Sequence, residues 1–299
     1  STRHGLVLFL ASRCSTFSRA ADESNTLDLD KLVERFAESQ AQASNFKLVW
    51  VDVYGKQREA KELRREFPAV TATAGDLVYG ATKSSVTRPK TVFAQEVDNG
   101  QLSPSQTTIE RKTEHKKTAT WQVESGFSYS GSVSVSASVF MVDFETKHQI
   151  SVDLKNGHRQ EISDKETFSI NQVVTVPPMK TVKLEWIITD TVKTVFWTST
   201  VTLNGYIIVK YNFKHPAKGG MLVPYPLYFL GREYGVKDAG NNTYLYTAKG
   251  TFTGVKAYKT RLRISEYDYH PRGRRFSAVR IYTIPLKLTR TYTTAAKTL

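Results

Sequence analysis

The sequence predicts a mainly β fold of long antiparallel strands with a smaller N-terminal α/β portion. Three observations carry that prediction. From Thr91 onward Val, Ile, Thr, Tyr and Ser dominate, the residues that suit a pleated, half-buried surface. Short polar turn sequences break this stretch, at Asp98-Asn99-Gly100, Lys155-Asn156-Gly157, Asn204-Gly205 and Asp238-Ala239-Gly240-Asn241-Asn242. Helical periodicity is confined to the part before it.

In chain order, the apolar run Gly5 to Ala11 follows Arg3 and His4 and precedes Cys14. It reads as the core of a secretory leader, with residues 1–25 as a leader remnant, or as a buried N-terminal strand. Leu29, Leu32, Val33 and Phe36 recur at helical spacing, with Asn25 or Thr26 as cap and Asp28 and Asp30 favouring the N-terminal dipole. Phe46 to Tyr54 reads as a strand. A second helix is expected from Gln57 to Glu66, stopped by Pro68.

Composition narrows the function classes. Of 299 residues 40% are hydrophobic and the mean hydropathy is −0.38, which excludes a wholly disordered chain. No apolar run approaches the roughly 18–20 residues that a spanning helix needs. The net charge of +14 suits nucleic acid, anionic lipid or acidic glycans without choosing among them. One cysteine rules out an intrachain disulfide. Asn241-Asn242-Thr243 is a glycosylation sequon, which agrees with secretion.

Residues 120–176 carry the functional argument. Trp121, Val123, Phe127, Tyr129, Val133, Val135, Ala137, Val139 and Met141 fall on odd positions. Ser128, Ser130, Ser132, Ser134, Ser136 and Ser138 fall on even ones. A strand sends alternate side chains to opposite faces, so one face is apolar and the other a ladder of hydroxyls. Further on, Ile150, Val152 and Leu154 share one face, and Glu145, Lys147, Gln149, Ser151 and Asp153 share the other. Phe168, Ile170, Val174 and Val176 keep the parity of Ile150. Between the two stretches lies an apolar tip, Phe140-Met141-Val142-Asp143-Phe144.

A transmembrane strand needs about 9–11 residues of such alternation. In a bilayer every backbone amide needs a partner, so hairpins from several copies must close a barrel. Val133, Val135, Ala137, Val139, Ile150, Val152 and Leu154 would then face lipid. Ser132, Ser134, Ser136, Ser138, Glu145, Lys147, Gln149, Ser151 and Asp153 would line the lumen. Phe140, Met141, Val142 and Phe144 form the tip. Thr146 and His148 fit the lipid face poorly and mark the start of the turn. Phe127 and Tyr129 sit where an interfacial aromatic belt is expected. An antiparallel sheet with one wet face alternates too, so alternation alone leaves an ordinary sheet open. In the soluble form the hairpin around 127–154 is expected to lie packed on a sheet, its serines compromising a tight core.

The surroundings of this hairpin resemble the aerolysin family, in its epsilon-toxin and mosquitocidal-toxin branch. Val97 to Thr108 (VDNGQLSPSQTT) resembles the turn before the family's long strands, and Gly126 to Ile150 its serine- and threonine-rich insertion hairpin. Val173 to Val182 (VVTVPPMKTV) resembles the exit from that hairpin. Tyr246 to Val255 (YTAKGTFTGV), ending in Ile264-Ser265-Glu266, resembles the closing hairpin. The resemblance covers residues 90–268. It implies an elongated aerolysin-like fold and a secreted monomer that binds a cell-surface receptor, forms a homo-oligomer and inserts its hairpin into a lipid membrane. It also implies a division into an N-terminal, receptor-binding portion at 26–118, a pore-forming module at 119–176, a C-terminal β-sandwich portion at 177–270 and a basic tail at 271–299. Members are often trimmed near the C-terminus, and Pro271-Arg272-Gly273-Arg274-Arg275 offers a dibasic site, with cleavage after Arg275.

Other functions find less support. His4, His115, His148, His158, His215 and His270 are scattered, no HExxH motif occurs, and Gly126-Phe127-Ser128-Tyr129-Ser130 lacks the second glycine of a nucleophile elbow. No enzyme activity, cofactor or metal is expected. Tyr258, Arg261, Arg263, Tyr267, Tyr269 and Phe276 interleave bases with aromatics, but a two-faced sheet does the same, so no nucleic-acid partner is expected. The alternative is a non-lytic, lectin-like or storage binding module of the same architecture. In that case Met221 to Tyr234 would contact a receptor or sugar, or simply pack between sheets.

Overall fold

The computed structural model describes residues 26–129, 133–137, 150–155, 157–213, 219–230, 235–271, 277–286 and 289–293. The chain opens with β1 (Leu27–Asp28), α1 (Leu29–Ala43) and β2 (Phe46–Asp52). Helix α1 buries Leu29, Leu32, Val33, Ala37 and Ala41 along one stripe, as its periodicity predicts. Its cap is Asp28, whose side chain accepts from the Lys31 backbone N–H at 3.1 Å; the expected caps, Asn25 and Thr26, are too early. The expected helix over 57–66 is instead two single 3₁₀ turns, Arg58–Ala60 and Leu63–Arg65. Arg64 turns inward there, pairing with buried Asp52 at 3.1 Å and donating to the carbonyls of Phe67 and Tyr206. Those tertiary bonds override a weak helical preference.

The remaining strands are β3 (Thr71–Ala74), β4 (Val78–Asn99), β5 (Ser105–Ser125), β6 (Phe127–Ser128), β7 (Ser134–Ala137), β8 (Ile150–Asp153) and β9 (Arg159–Val176). They continue with β10 (Lys180–Asn204), β11 (Tyr206–Phe213), β12 (Gly220–Pro226), β13 (Val236–Gly240), β14 (Thr243–Asp268), β15 (Arg280–Pro285) and β16 (Thr289–Thr293). The frame is a sheet in the order β16-β9-β5-β14-β10-β3, with β13 and β15 also on β14 and β4 on β10. At about 3.3 Å per residue, β10 and β14 each run for about 80 Å, which makes the molecule elongated. A second sheet, β12-β11-β2, packs with α1 at the N-terminal end.

Two cores lie along this frame. One gathers Val195, Trp197, Val201 and Leu203 of β10 with α1, the second sheet and Trp121. The other gathers Val182, Leu184, Trp186 and Ile188 of β10 with Ile109, Phe168, Ile170, Val174 and Val176. β10 thus buries even positions at one end and odd positions at the other, so the two cores sit on opposite faces of it. Extra residues on its partners, between Thr189 and Asp190 against β14 and near Val195 against β4, accommodate the twist. Phe168 to Val176 share the hairpin's parity but belong to the second core.

The turn sequences end strands as expected. Asn241 and Asn242 take left-handed φ of 49° and 55° between β13 and β14, and Gly205, at φ 117°, joins β10 to β11. A Cβ on Gly205 would lie 2.4 Å from the Ala69 carbonyl oxygen. Two of the motifs that carry the resemblance meet at Asn99. Its buried amide donates to the carbonyls of Ser103, Val176 and Pro177, tying the turn after β4 to the Pro177-Pro178 exit of β9. Gly250 lets β5 cross close over β14, since a Cβ there would meet the Gln122 carbonyl oxygen at 2.0 Å.

Candidate functional site

The chain leaves the frame through β5 and β6, runs out along β7, returns along β8 and rejoins the frame in β9. β7 and β8 pair antiparallel, with Ser134 opposite Asp153, Val135 opposite Val152, Ser136 opposite Ser151 and Ala137 opposite Ile150. The two faces differ completely. Val133, Val135, Ala137, Ile150, Val152 and Leu154 are all buried, joining the core that holds α1 and Trp197. Ser134, Ser136 and Ser151 are exposed, and Asp153 is half-buried and accepts from the Lys155 N–H at 2.9 Å. The described part of the hairpin therefore lies apolar face down, with Ser134, Ser136 and Ser151 in water. That corrects the expectation that the serines compromise the core, because strand alternation keeps them out of it.

Ser132, Ser138, Val139, Phe140, Met141, Val142, Phe144, Glu145, Lys147 and Gln149 lie outside the described residues, and so does Arg275.

The base of the hairpin is fastened at several points. The Phe127 N–H donates to the Leu154 carbonyl at 2.9 Å, and the Leu154 N–H to the Val133 carbonyl at 2.9 Å. β1 pairs in parallel with β6, Leu27 opposite Phe127 and Asp28 opposite Ser128. The Leu27 N–H donates to the Gly126 carbonyl at 3.0 Å and also to the Tyr246 phenol oxygen. Burial raises the Tyr246 phenol above its ordinary pKa, an effect that bond partly offsets. The Tyr129 ring meets Tyr54 edge-on, centroids 4.9 Å apart, and its hydroxyl donates to the Val70 carbonyl at 3.2 Å. Tyr54 in turn donates to Asp30 of α1. Burial, with Asp30 nearby, raises the Tyr129 phenol.

Leu27, Tyr54, Val70 and Tyr246 were not apparent as site residues in the sequence. Their part depends on contacts between segments 59–219 residues apart, and no local pattern encodes such contacts.

No helix among the described residues is long and apolar enough to cross a membrane, which leaves crossing by strands open. No protein-family model matches the chain, and no curated protein sequence matches it. Solved structures do. A chain of the Cry23Aa1–Cry37Aa1 binary protein complex superposes with a TM-score of 0.55 at 16% identity, over 88% of this chain and 97% of that one. The parasporin-2 toxin of Bacillus thuringiensis, which recognises cancer cells, gives 0.54 at 16% identity, over 81% and 97%. At the level of the fold, the chain is aerolysin-like. A non-toxic crystal protein of Bacillus thuringiensis matches at 0.49 and 12% identity, over 82% and 98%. Fold alone does not carry function, which rests on the hairpin itself.

Proposed function

We propose that this chain is a secreted β-pore-forming protein that binds a cell surface, assembles into a ring of copies and drives the β7–β8 hairpin through the bilayer. One observation carries the reading. A hairpin whose described residues form one apolar face and one polar, serine-bearing face lies folded against the body of an aerolysin-like frame, in the chain connection between the long paired strands β5 and β9. A surface hairpin with one buried face alternates too, so the reading rests on the alternation together with the place of this hairpin in the frame. A barrel in lipid requires such alternation, since each strand must present apolar side chains to the acyl chains and polar ones to water. Continuity of β7 with β5 and of β8 with β9 supports extension of those strands as the hairpin swings out. In this reading Val133, Val135, Ala137, Val139, Ile150, Val152 and Leu154 meet lipid, and the serine ladder with Glu145, Lys147, Gln149 and Asp153 meets the lumen. Nothing in the reading calls for an enzymatic step.

Trimming after Arg275 would detach residues 276–299, which include β15 on β14 and β16 on β9. Their loss would bare two sheet edges for a neighbouring copy.

The test is dye release from liposomes and erythrocytes, by full-length protein and by protein trimmed with trypsin. Release from either membrane supports the reading, and greater release after trimming supports a propeptide role. Equal activity before and after trimming rules that role out. No release from any membrane, trimmed or not, would shift the assignment to the non-lytic binding module.

A further inference from the structure

β1 and the start of α1 form a strap across the root of the hairpin. We infer that this strap is the catch that keeps the hairpin in its soluble position, so that insertion requires β1 to part from β6. The inference rests on the pore-forming reading and names the contact that regulates it.

Three observations carry it. First, β6 is the only strand between β5 and β7 among the described residues, and its parallel partner is β1. The hairpin cannot swing away from the root while that pairing holds, because Phe127 is both the partner of Leu27 and the donor to Leu154 of the returning strand. Second, Leu27 joins the moving part to the fixed part. Its N–H is shared between the Gly126 carbonyl at the hairpin root and the hydroxyl oxygen of Tyr246, which belongs to the frame strand β14. Leu27, Phe127 and Tyr246 are all buried together, with the Phe127 and Tyr246 rings 6.1 Å apart. Third, the catch is short. β1 and β6 are two residues each, against 18 to 26 residues for β5, β9, β10 and β14. A two-residue ladder opens far more readily than the frame, so the weak element lies where release must begin. α1 supports the strap from behind: Asp28 caps it, and Asp30 holds Tyr54, which stands against Tyr129.

The test uses a staple and a loosening variant, both in the full chain with Cys14→Ser. Asp28→Cys with Ser128→Cys places thiols on directly paired residues of adjacent strands, within reach of a disulfide. Thr73→Cys with Thr202→Cys, paired between β3 and β10, is the control. Oxidation of the first pair should stop dye release and reductant should restore it, while the control pair releases dye in both states. Undiminished release by the oxidised 28–128 staple would overturn the inference. The second measurement needs no membrane. Tyr246→Phe removes the hydroxyl bond to Leu27 but keeps the ring. Hydrogen exchange over residues 133–137 and 150–154 should rise about tenfold, with β10 unchanged. Unchanged hairpin exchange would overturn the catch even in a protein that forms no pores, whereas absence of dye release from every reduced protein would count against pore formation alone.

Discussion

Ser136 and Ser151 stand directly opposite each other across the hairpin, both exposed, while one step along the same strands Val135 and Val152 stand opposite each other, both buried. This change of environment over one residue is what a barrel strand needs.

It leads to a pattern of cysteine reactivity. In a Cys14→Ser background, cysteines at Ser134, Ser136 and Ser151 should react with a charged, water-soluble thiol reagent in the open pore and reduce its conductance. Cysteines at Val135 and Val152 should not. A uniform response at all five positions would show that the strands do not cross as a two-faced ribbon.

Ion selectivity follows from the same face. Glu145 and Asp153 outnumber Lys147 among its charges, so reversal potentials in a salt gradient should show weak cation preference. Ser136→Lys, which adds a charge at an exposed position, should move the preference towards anions without disturbing the soluble fold. Anion preference of the unmodified pore would refute the assignment of the lumen.

The buried pair Lys117–Glu166 sits between the two cores, 2.9 Å apart, with side chains 4% and 6% exposed. Breaking a buried pair by neutralising one partner strands the other charge, at a cost of about 3 kcal/mol. Glu166→Gln should lose about that much in urea unfolding, by the same principle. Lys117→Met with Glu166→Leu should recover most of it, because no charge is then left unpaired. A loss from the double variant as great as from the single one would mean that packing, not charge, sets the effect.

Alkaline stability should depend on Tyr79. Burial pushes its phenol up to about 12, an effect only partly offset by the Trp121 indole N–H, which donates to its hydroxyl at 2.9 Å. A pKa raised in the folded state gives stability that is complete below the unfolded value of about 10 and is lost as pH rises towards the folded one. Tyr79→Phe should therefore lower stability at neutral pH by about 1 kcal/mol, by stranding the indole N–H. It should also flatten the fall between pH 10 and pH 12. An unchanged alkaline slope would assign that fall to other tyrosines, such as Tyr211, which burial also raises.

Local pattern made much of this protein legible. The spacing of Leu29, Leu32 and Val33 specifies α1, since a helix needs only a stripe to bury. Parity specifies which hairpin residues turn inward, since alternation is a property of a single strand. The polar turns mark strand ends because Asn and Gly tolerate left-handed backbone.

What the sequence did not determine is what each face meets. Ser134 pairs with Asp153, which alternation alone could not choose from the other residues of its face. Register is a relation between two strands, set by turn geometry and by the cores that both must fill. Gln57 to Glu66 lost its helix to an ion pair with Asp52, and β10 changed its buried face midway because the two cores it serves lie on opposite sides of it. Leu27 became a strap only because Phe127 and Tyr246, about 100 and 220 residues on, fold against it. Periodicity acts over a few residues, whereas burial partners are selected by the whole packed chain.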